Sequence, residues 1–356
     1  MLIGKLDLGP SPVLLAPMED VTDIGFRLLC RRMGAAMVYS EFVAADALVR
    51  MVNKSLQKLR VCQEERPVAI QIYGRDAGSV AEAAEIVLAE AAPDVIDLNF
   101  GCPVKRVAGK GAGAGLLQQP DLMCRITRAV VERVGSRVPV TVKTRLDWTA
   151  PAAGQPYLIE TLAERLQDQG ISALTLHGRT RAQMYTGQAC WEPIARVRQN
   201  PRIHIPVVGN GDIDSAEACR TAFERYGVDA VMIGRATFGR PWIFAEIPRD
   251  GAAAGQIPPC PKALQDISPH PFLSPDWKLD VLKFQATESI RLVARQGKDN
   301  AEYRGILHVR RHLAASPLFK GLPNFRQTRI AMLRAESLDE LFHILEECRP
   351  LVSTQA

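Results

Sequence analysis

The chain has 356 residues, of which 47% are hydrophobic, 23% charged and 6% aromatic, a composition that suits a folded globular protein and excludes disordered and collagen-like classes. No run approaches the roughly 20 apolar residues of a membrane span, and the start, MLIGKLDLGP, lacks a basic segment followed by an apolar one, so no membrane partner and a cytoplasmic location are expected. The formal net charge of +5 is regional, because residues 278–334 carry twelve Lys and Arg against four acids.

Eight short β-rich runs follow one another through the first two thirds of the chain: Val13–Ala16, Met37–Glu41, Val68–Tyr73, Val95–Asn99, Val140–Arg145, Ala173–His177, Ile205–Gly209 and Ala230–Gly234. Most are apolar on both faces, as buried parallel strands are. Helix-length segments separate them, among them Ser79–Ala91, Pro120–Val134, Pro156–Gln169 and Ser215–Tyr226. Eight strand–helix units in this length predict an α/β fold, a (β/α)8 TIM barrel over residues 1–247. A proline-rich stretch, 248–276, reads as a linker or insertion. Beyond it, Leu279, Leu282, Ala286, Ile290 and Val293 recur at helical spacing, as do Ile330, Leu333, Leu338, Leu341 and Ile344, which predicts a small C-terminal all-helical domain over 277–350.

The closest pair among the eight cysteines, Cys102 and Cys124, is 22 residues apart, so no zinc or iron–sulfur spacing exists and no metal is expected. In a barrel the chemistry sits where strands end. There the sequence sets Pro17 and Met18 after strand one, Gln71 in strand three, Asn99 to Pro103 after strand four, Lys143 and Arg145 in strand five, His177 and Arg179 after strand six, Asn210, Gly211 and Asp212 after strand seven, and Gly234 and Arg235 after strand eight. The last two loops form the usual phosphate site of this fold, and glycine lets backbone N–H groups approach an anion. Lys143, inside an apolar strand, calls for an anionic or electron-rich partner, a salt bridge being the plainer alternative. Cys102 lies between glycine and proline on a loop, where a thiol has little packing role and can serve as a proton donor. The stretch 109–115 (GKGAGAG) fails the register of a nucleotide loop and reads as a flexible active-site loop with Lys105, Arg106 and Lys110 around it.

Together, Ala16-Pro-Met18, the run DLNFGCP at 97–103, VKTR at 142–145, LHGRTR at 176–181, GNGD at 209–212 and MIGRA at 232–236 resemble the tRNA-dihydrouridine synthases, most closely their bacterial B-type branch. The resemblance runs from about residue 11 to 245, and the helical domain of that family fits residues 277–347 in position and charge. It implies an FMN-dependent oxidoreductase that reduces uridine in tRNA to 5,6-dihydrouridine with NADPH (or NADH) as reductant and no obligate protein partner. It also implies that Pro17, Met18, Gln71, Lys143, His177, Asn210, Gly211, Asp212, Gly234 and Arg235 bind FMN. Cys102 would be the proton donor to C5, with hydride delivered to C6, while Asn99, Arg145 and Arg179 would lie near the uracil or the tRNA. Glu19-Asp20 departs from the small residues common in the family after Pro-Met. In the helical domain Arg304, His308 and Arg311 fall at i, i+4 and i+7, one helix face expected to bind tRNA. The alternatives are an FMN-dependent oxidoreductase of a free pyrimidine, which would have no use for the basic helices, a phosphate-binding barrel lyase or isomerase without flavin, and a non-catalytic RNA-binding protein.

Overall fold

The computed structural model describes residues 1–247, 260–295 and 299–354. Most of the expected proline-rich linker, residues 248–259, therefore lies outside the described residues. The chain divides into two compact units, one formed by Met1–Glu19 and Ala35–Gly234, the other by Asp20–Gly34 and Arg235–Ala356. The second unit thus takes in Asp20–Gly34 and residues 235–247, which the sequence reading groups with the barrel. Among the described residues no helix is long and apolar enough to cross a membrane.

The first unit is the (β/α)8 barrel. Its strands are β1 (Val13–Leu15), β2 (Val38–Tyr39), β3 (Val68–Tyr73), β4 (Val95–Phe100), β5 (Val140–Arg145), β6 (Ala173–His177), β7 (Val207–Asn210) and β8 (Ala230–Ile233). All pair in parallel with their neighbours, and β8 pairs with β1 through Val231–Val13 and Ile233–Leu15. A bridge from Leu14 to Met37, with the Leu15 N–H on the Met37 carbonyl at 3.0 Å, joins β1 to the start of β2. The expected second strand, Met37–Glu41, is broken: it ends at Tyr39 and resumes as Val43–Ala44, paired with the end of β3. The Ser40 hydroxyl explains the break, since it accepts the Gln71 N–H at 3.1 Å in place of a backbone carbonyl.

Side chains alternate along a strand, so every second residue points into the barrel. At its lower end these are Leu14, Met37, Tyr39, Ala69, Val95, Ala173, Val208 and Ala230, a buried hydrophobic layer that the N-terminal hairpin covers with Ile3. One step up each strand the interior turns polar with Gln71, Asp97, Thr141 and Thr175, and a further step brings Asn99, Lys143 and His177. The outward residues, such as Ile70, Ile96, Val142, Leu174 and Val231, are fully buried and apolar. Amphipathic helices cover them, among them Ala77–Ala91, Pro120–Val134 and Ile159–Gln167.

The second unit is all helical: α1 (Ile24–Arg32), α2 (Pro275–Ala294), α3 (Ala301–Ala315), α4 (Phe325–Arg334) and α5 (Leu338–Ser353) carry most of it. Ser274 and Ser337 cap α2 and α5 by accepting the N–H groups of Trp277 and Glu340. The periodic run Ile330–Ile344 is divided between α4 and α5, with Ile330 exposed and Leu341 and Leu345 buried. Gly305 lets α3 touch α2, because a Cβ there would lie 2.6 Å from the Ile290 Cα and 2.7 Å from its nitrogen. Arg349 ties α5 to α2 through Asp280 (2.6 Å) and Asp276 (3.2 Å).

His312, 1% exposed, lies between the rings of Phe26 and Phe238 at 4.3 and 4.7 Å. Burial pushes its imidazole down to about 4, against the pull of Asp23. Its folded value lies below the ordinary 6.5, so it favours folding fully above pH 6.5, and that contribution is lost as pH falls to about 4. His312→Phe is therefore expected to abolish about 3 kcal/mol of acid sensitivity in that window, which denaturant unfolding at pH 7 and pH 4.5 measures. An equal loss on acidification in both proteins would place the sensitivity elsewhere.

Candidate active site at the upper rim of the barrel

The polar interior residues form a connected chain of hydrogen bonds. The Asp97 carboxylate accepts from Thr141 Oγ1 and from Gln71 Nε2, each at 2.6 Å. Gln71 Oε1 in turn accepts from Asn99 Nδ2 at 2.8 Å. This fixes the Asn99 amide so that its oxygen receives the backbone N–H groups of Gly101 (3.0 Å) and Cys102 (2.9 Å). A carboxylate in the barrel interior thereby sets the loop that carries the thiol. Burial pushes Asp97 up to about 6, with Thr141, Gln71 and Lys143 opposing, so it is the ionised acceptor at neutral pH. Asp97 belongs to the DLNFGCP run, but sequence reasoning assigns it no role; its position two residues before Asn99, hence on the same side of β4, was the available signal.

Cys102 is half-buried, and burial pushes its thiol above the ordinary value, opposed by the Val104 N–H and the cations of Arg145 and Arg106. It is protonated at neutral pH. The end of the following loop is packed: Gly113–Gln118 is a 3-10 turn with Gly113 to Leu117 buried, and the Ala114 N–H donates to the Cys102 carbonyl at 3.1 Å, while Gly109 and Lys110 are exposed. Small residues there let the chain pack back on the thiol loop.

Lys143 Nζ donates to Asn210 Oδ1 at 3.1 Å, and Asn210 Nδ2 to the Met232 carbonyl at 2.8 Å. Burial, then the nearby Arg145 cation, pushes the Lys143 amine down to about 8. The amine thus donates to a neutral amide, with the Asp97 carboxylate as a nearby opposing charge. His177 aligns with Asn210 across the sheet. Gly211, at φ 128°, follows directly, and a Cβ there would lie 2.7 Å from Ala189. Trp191 Nε1 holds the Gly211 carbonyl at 3.1 Å, a contact with no signal in the sequence. Gly234 stands at the end of β8 beside Ala16 and Met18, and Pro17 lies between those two. The donor set of Lys143, Asn210 and His177 with a backbone turn at Gly211 fits a planar, anionic cofactor such as FMN. Arg235 opens the second unit as the first residue of the turn Arg235–Thr237.

Two further residues turn inward on the protein itself. Arg179 makes a two-pronged ion pair with Asp212 (2.8 and 2.6 Å) and reaches the Thr186 and Gly187 carbonyls. Asp212 also accepts the Ala189 N–H at 2.8 Å, so the pair fastens the loop after β6 to the turn after β7. Arg145 is likewise buried and donates to the carbonyls of Gly101 (2.8 Å), Thr180 (2.9 Å) and Met184 (2.8 Å). Glu19 accepts from Lys58 at 2.8 Å, and Lys58 also meets Glu41 at 3.4 Å. In the second unit Arg304, His308 and Arg311 are all exposed on one face of α3, opposite buried Ile306, Val309 and Leu313. His308 Nδ1 lies 3.5 Å from Asp23 and Arg311 3.7 Å from Asp20.

The fold and the site define a TIM-barrel protein whose strand ends gather a cysteine of raised pKa, a lysine of lowered pKa and two glycine turns. The family model described as dihydrouridine synthase matches residues 14–345. The chain belongs to the dihydrouridine synthase family. It is 45% identical over 261 residues to tRNA-dihydrouridine synthase B of Pseudomonas aeruginosa, covering 73% of this chain and 75% of that one. With the protein of the same name from Xanthomonas campestris the identity is 43% over 259 residues, with the same shares. Among solved structures, histamine dehydrogenase from Rhizobium sp. 4-9 is similar in fold at a TM-score of 0.52 and 12% identity, covering 68% of this chain and 47% of that one. A 2-naphthoyl-CoA reductase is similar at 0.51 and 10% identity, covering 68% and 50%.

Proposed function

We propose that this chain reduces uridine in tRNA to 5,6-dihydrouridine, with FMN bound in the barrel mouth and NADPH as reductant. The single observation that carries the reading is the protonated Cys102 thiol, positioned through the Asp97–Gln71–Asn99 chain in a barrel whose family is that of the dihydrouridine synthases. Bound flavin supplies the hydride that C6 of the uracil receives. Lys143, His177, Asn210, Gly211 and Gly234 would hold it, with Pro17, Met18, Gln71 and Asp212 as further candidates in the barrel and Arg235 as the candidate that the family resemblance adds. Cys102 gives its proton to C5 of the uracil, and the thiolate regains one from solvent. Each turnover so adds one hydride and one proton across the double bond. Asn99 keeps the thiol loop in place, while Arg145 and Arg179 brace the surrounding loops within reach of the RNA.

Uridine in folded tRNA is stacked or paired, and extruding it costs a few kcal/mol. The cationic face of α3 offsets this by contacting phosphates. The reading is tested by incubating the purified protein with unmodified tRNA transcript and NADPH and looking for a mass gain of two hydrogens on a uridine; no gain on tRNA, with turnover of a free pyrimidine, would overturn it. For α3, Arg304→Ala combined with Arg311→Ala is expected to weaken tRNA binding and to lower the slope of log K against log salt by about 0.7 to 0.9 for each phosphate that is no longer neutralised. An unchanged slope would remove this face from the RNA-binding surface.

A further inference from the structure

The loops after β5 and β6 form one rim. The Arg181 N–H donates to the Asp147 carbonyl at 2.8 Å and the Ala182 N–H to the Trp148 carbonyl at 2.9 Å. Arg145 adds its bonds to the Thr180 and Met184 carbonyls. The rim is firmly held, yet it displays apolar side chains: Met184 is 37% and Tyr185 49% exposed. Two of its aromatic rings have a guanidinium over them, Arg145 at 5.6 Å from the Tyr185 centroid and Arg181 at 4.5 Å from that of Trp148. A single exposed aromatic is ordinary. What sets Tyr185 apart is its route to the reacting thiol: the Arg145 over its ring also donates to the carbonyl of Gly101, the residue before Cys102.

We infer that Tyr185 is a stacking platform for a nucleotide flanking the target uridine, with the Trp148–Arg181 pair extending it along the strand. The inference rests on the functional reading above. Taking a uridine out of its stack leaves its neighbours without a partner, and an aromatic face beside the barrel mouth replaces it whatever the base, since every base has a π face. The partly exposed Arg181 guanidinium gives the rim positive charge that a phosphodiester backbone complements, while buried Arg145 holds the rim to the thiol loop.

The test measures binding of unmodified tRNA transcript to the flavin-loaded wild type, Tyr185→Ala and Tyr185→Phe over a series of salt concentrations, with the flavin content of each protein. Tyr185→Ala is expected to bind about 5- to 100-fold more weakly, the range of a base–aromatic stack removed. Its slope of log K against log salt should equal that of the wild type, because every phosphate remains neutralised. Tyr185→Phe should restore binding, and both variants should keep their flavin. Wild-type affinity in Tyr185→Ala would overturn the inference, as would weaker binding with a smaller salt slope, which marks a phosphate ligand, or a parallel loss of flavin, which marks a structural residue. A wild type that fails to bind tRNA would instead overturn the functional reading, and this inference with it.

Discussion

Cys102→Ala is expected to purify with its flavin and to accept electrons from NADPH at nearly the wild-type rate, while its reoxidation by tRNA slows by about 10² to 10⁴-fold, the usual contribution of a general acid. The expectation follows from where the thiol sits and how it is charged. Burial holds it protonated, and the Asn99 side-chain carbonyl grips the backbone N–H of residue 102, so alanine leaves the loop in place. Reduction by NADPH delivers nothing to a pyrimidine carbon, whereas saturating the 5,6 double bond needs a proton at C5. Anaerobic stopped-flow absorbance of the two half-reactions separates the cases. Equal slowing of both would make Cys102 structural, and undiminished reoxidation would take it out of the chemistry.

Lys143→Met should lose most of its flavin and yet give a more stable apoprotein at pH 7. The lowering of the amine from 10.5 to about 8 corresponds to about 3 kcal/mol against folding with the charge in place. Removing the hydrogen bond to Asn210 returns about 1 kcal/mol of that, leaving a net gain of about 2 kcal/mol. The sign reverses with pH in a defined way: the folded wild type sheds this proton at about pH 8 and the unfolded chain only near 10.5, so wild-type stability rises across that interval and the advantage of methionine shrinks. Flavin absorbance at purification and denaturant unfolding of the stripped proteins at pH 7 and pH 9.5 supply the readings. A fully yellow Lys143→Met would exclude the amine from the cofactor set, and an unstable one would mean that its charge is already compensated.

The eight strands, their order and the barrel they close are legible in the sequence because burial on both faces leaves contiguous apolar runs, and the strand-end motifs are legible because strand ends are where polar residues interrupt those runs. The helical domain is legible by its period, as is the Arg304–His308–Arg311 face, which needs only 3.6 residues per turn. Contacts between distant segments are not written in any local period. Asp97 became the anchor of the thiol loop only when β3, β4 and β5 came side by side and set Gln71, Asp97 and Thr141 in one layer. Arg179 and Asp212 are separated by 33 residues and meet only because β6 and β7 are neighbours. Tertiary structure likewise assigned Asp20–Gly34 to the second unit, where Phe26 closes on His312, a pairing that sequence distance hides. Local patterns record what each segment buries; which buried polar groups satisfy one another is decided by the register of strands far apart in the chain.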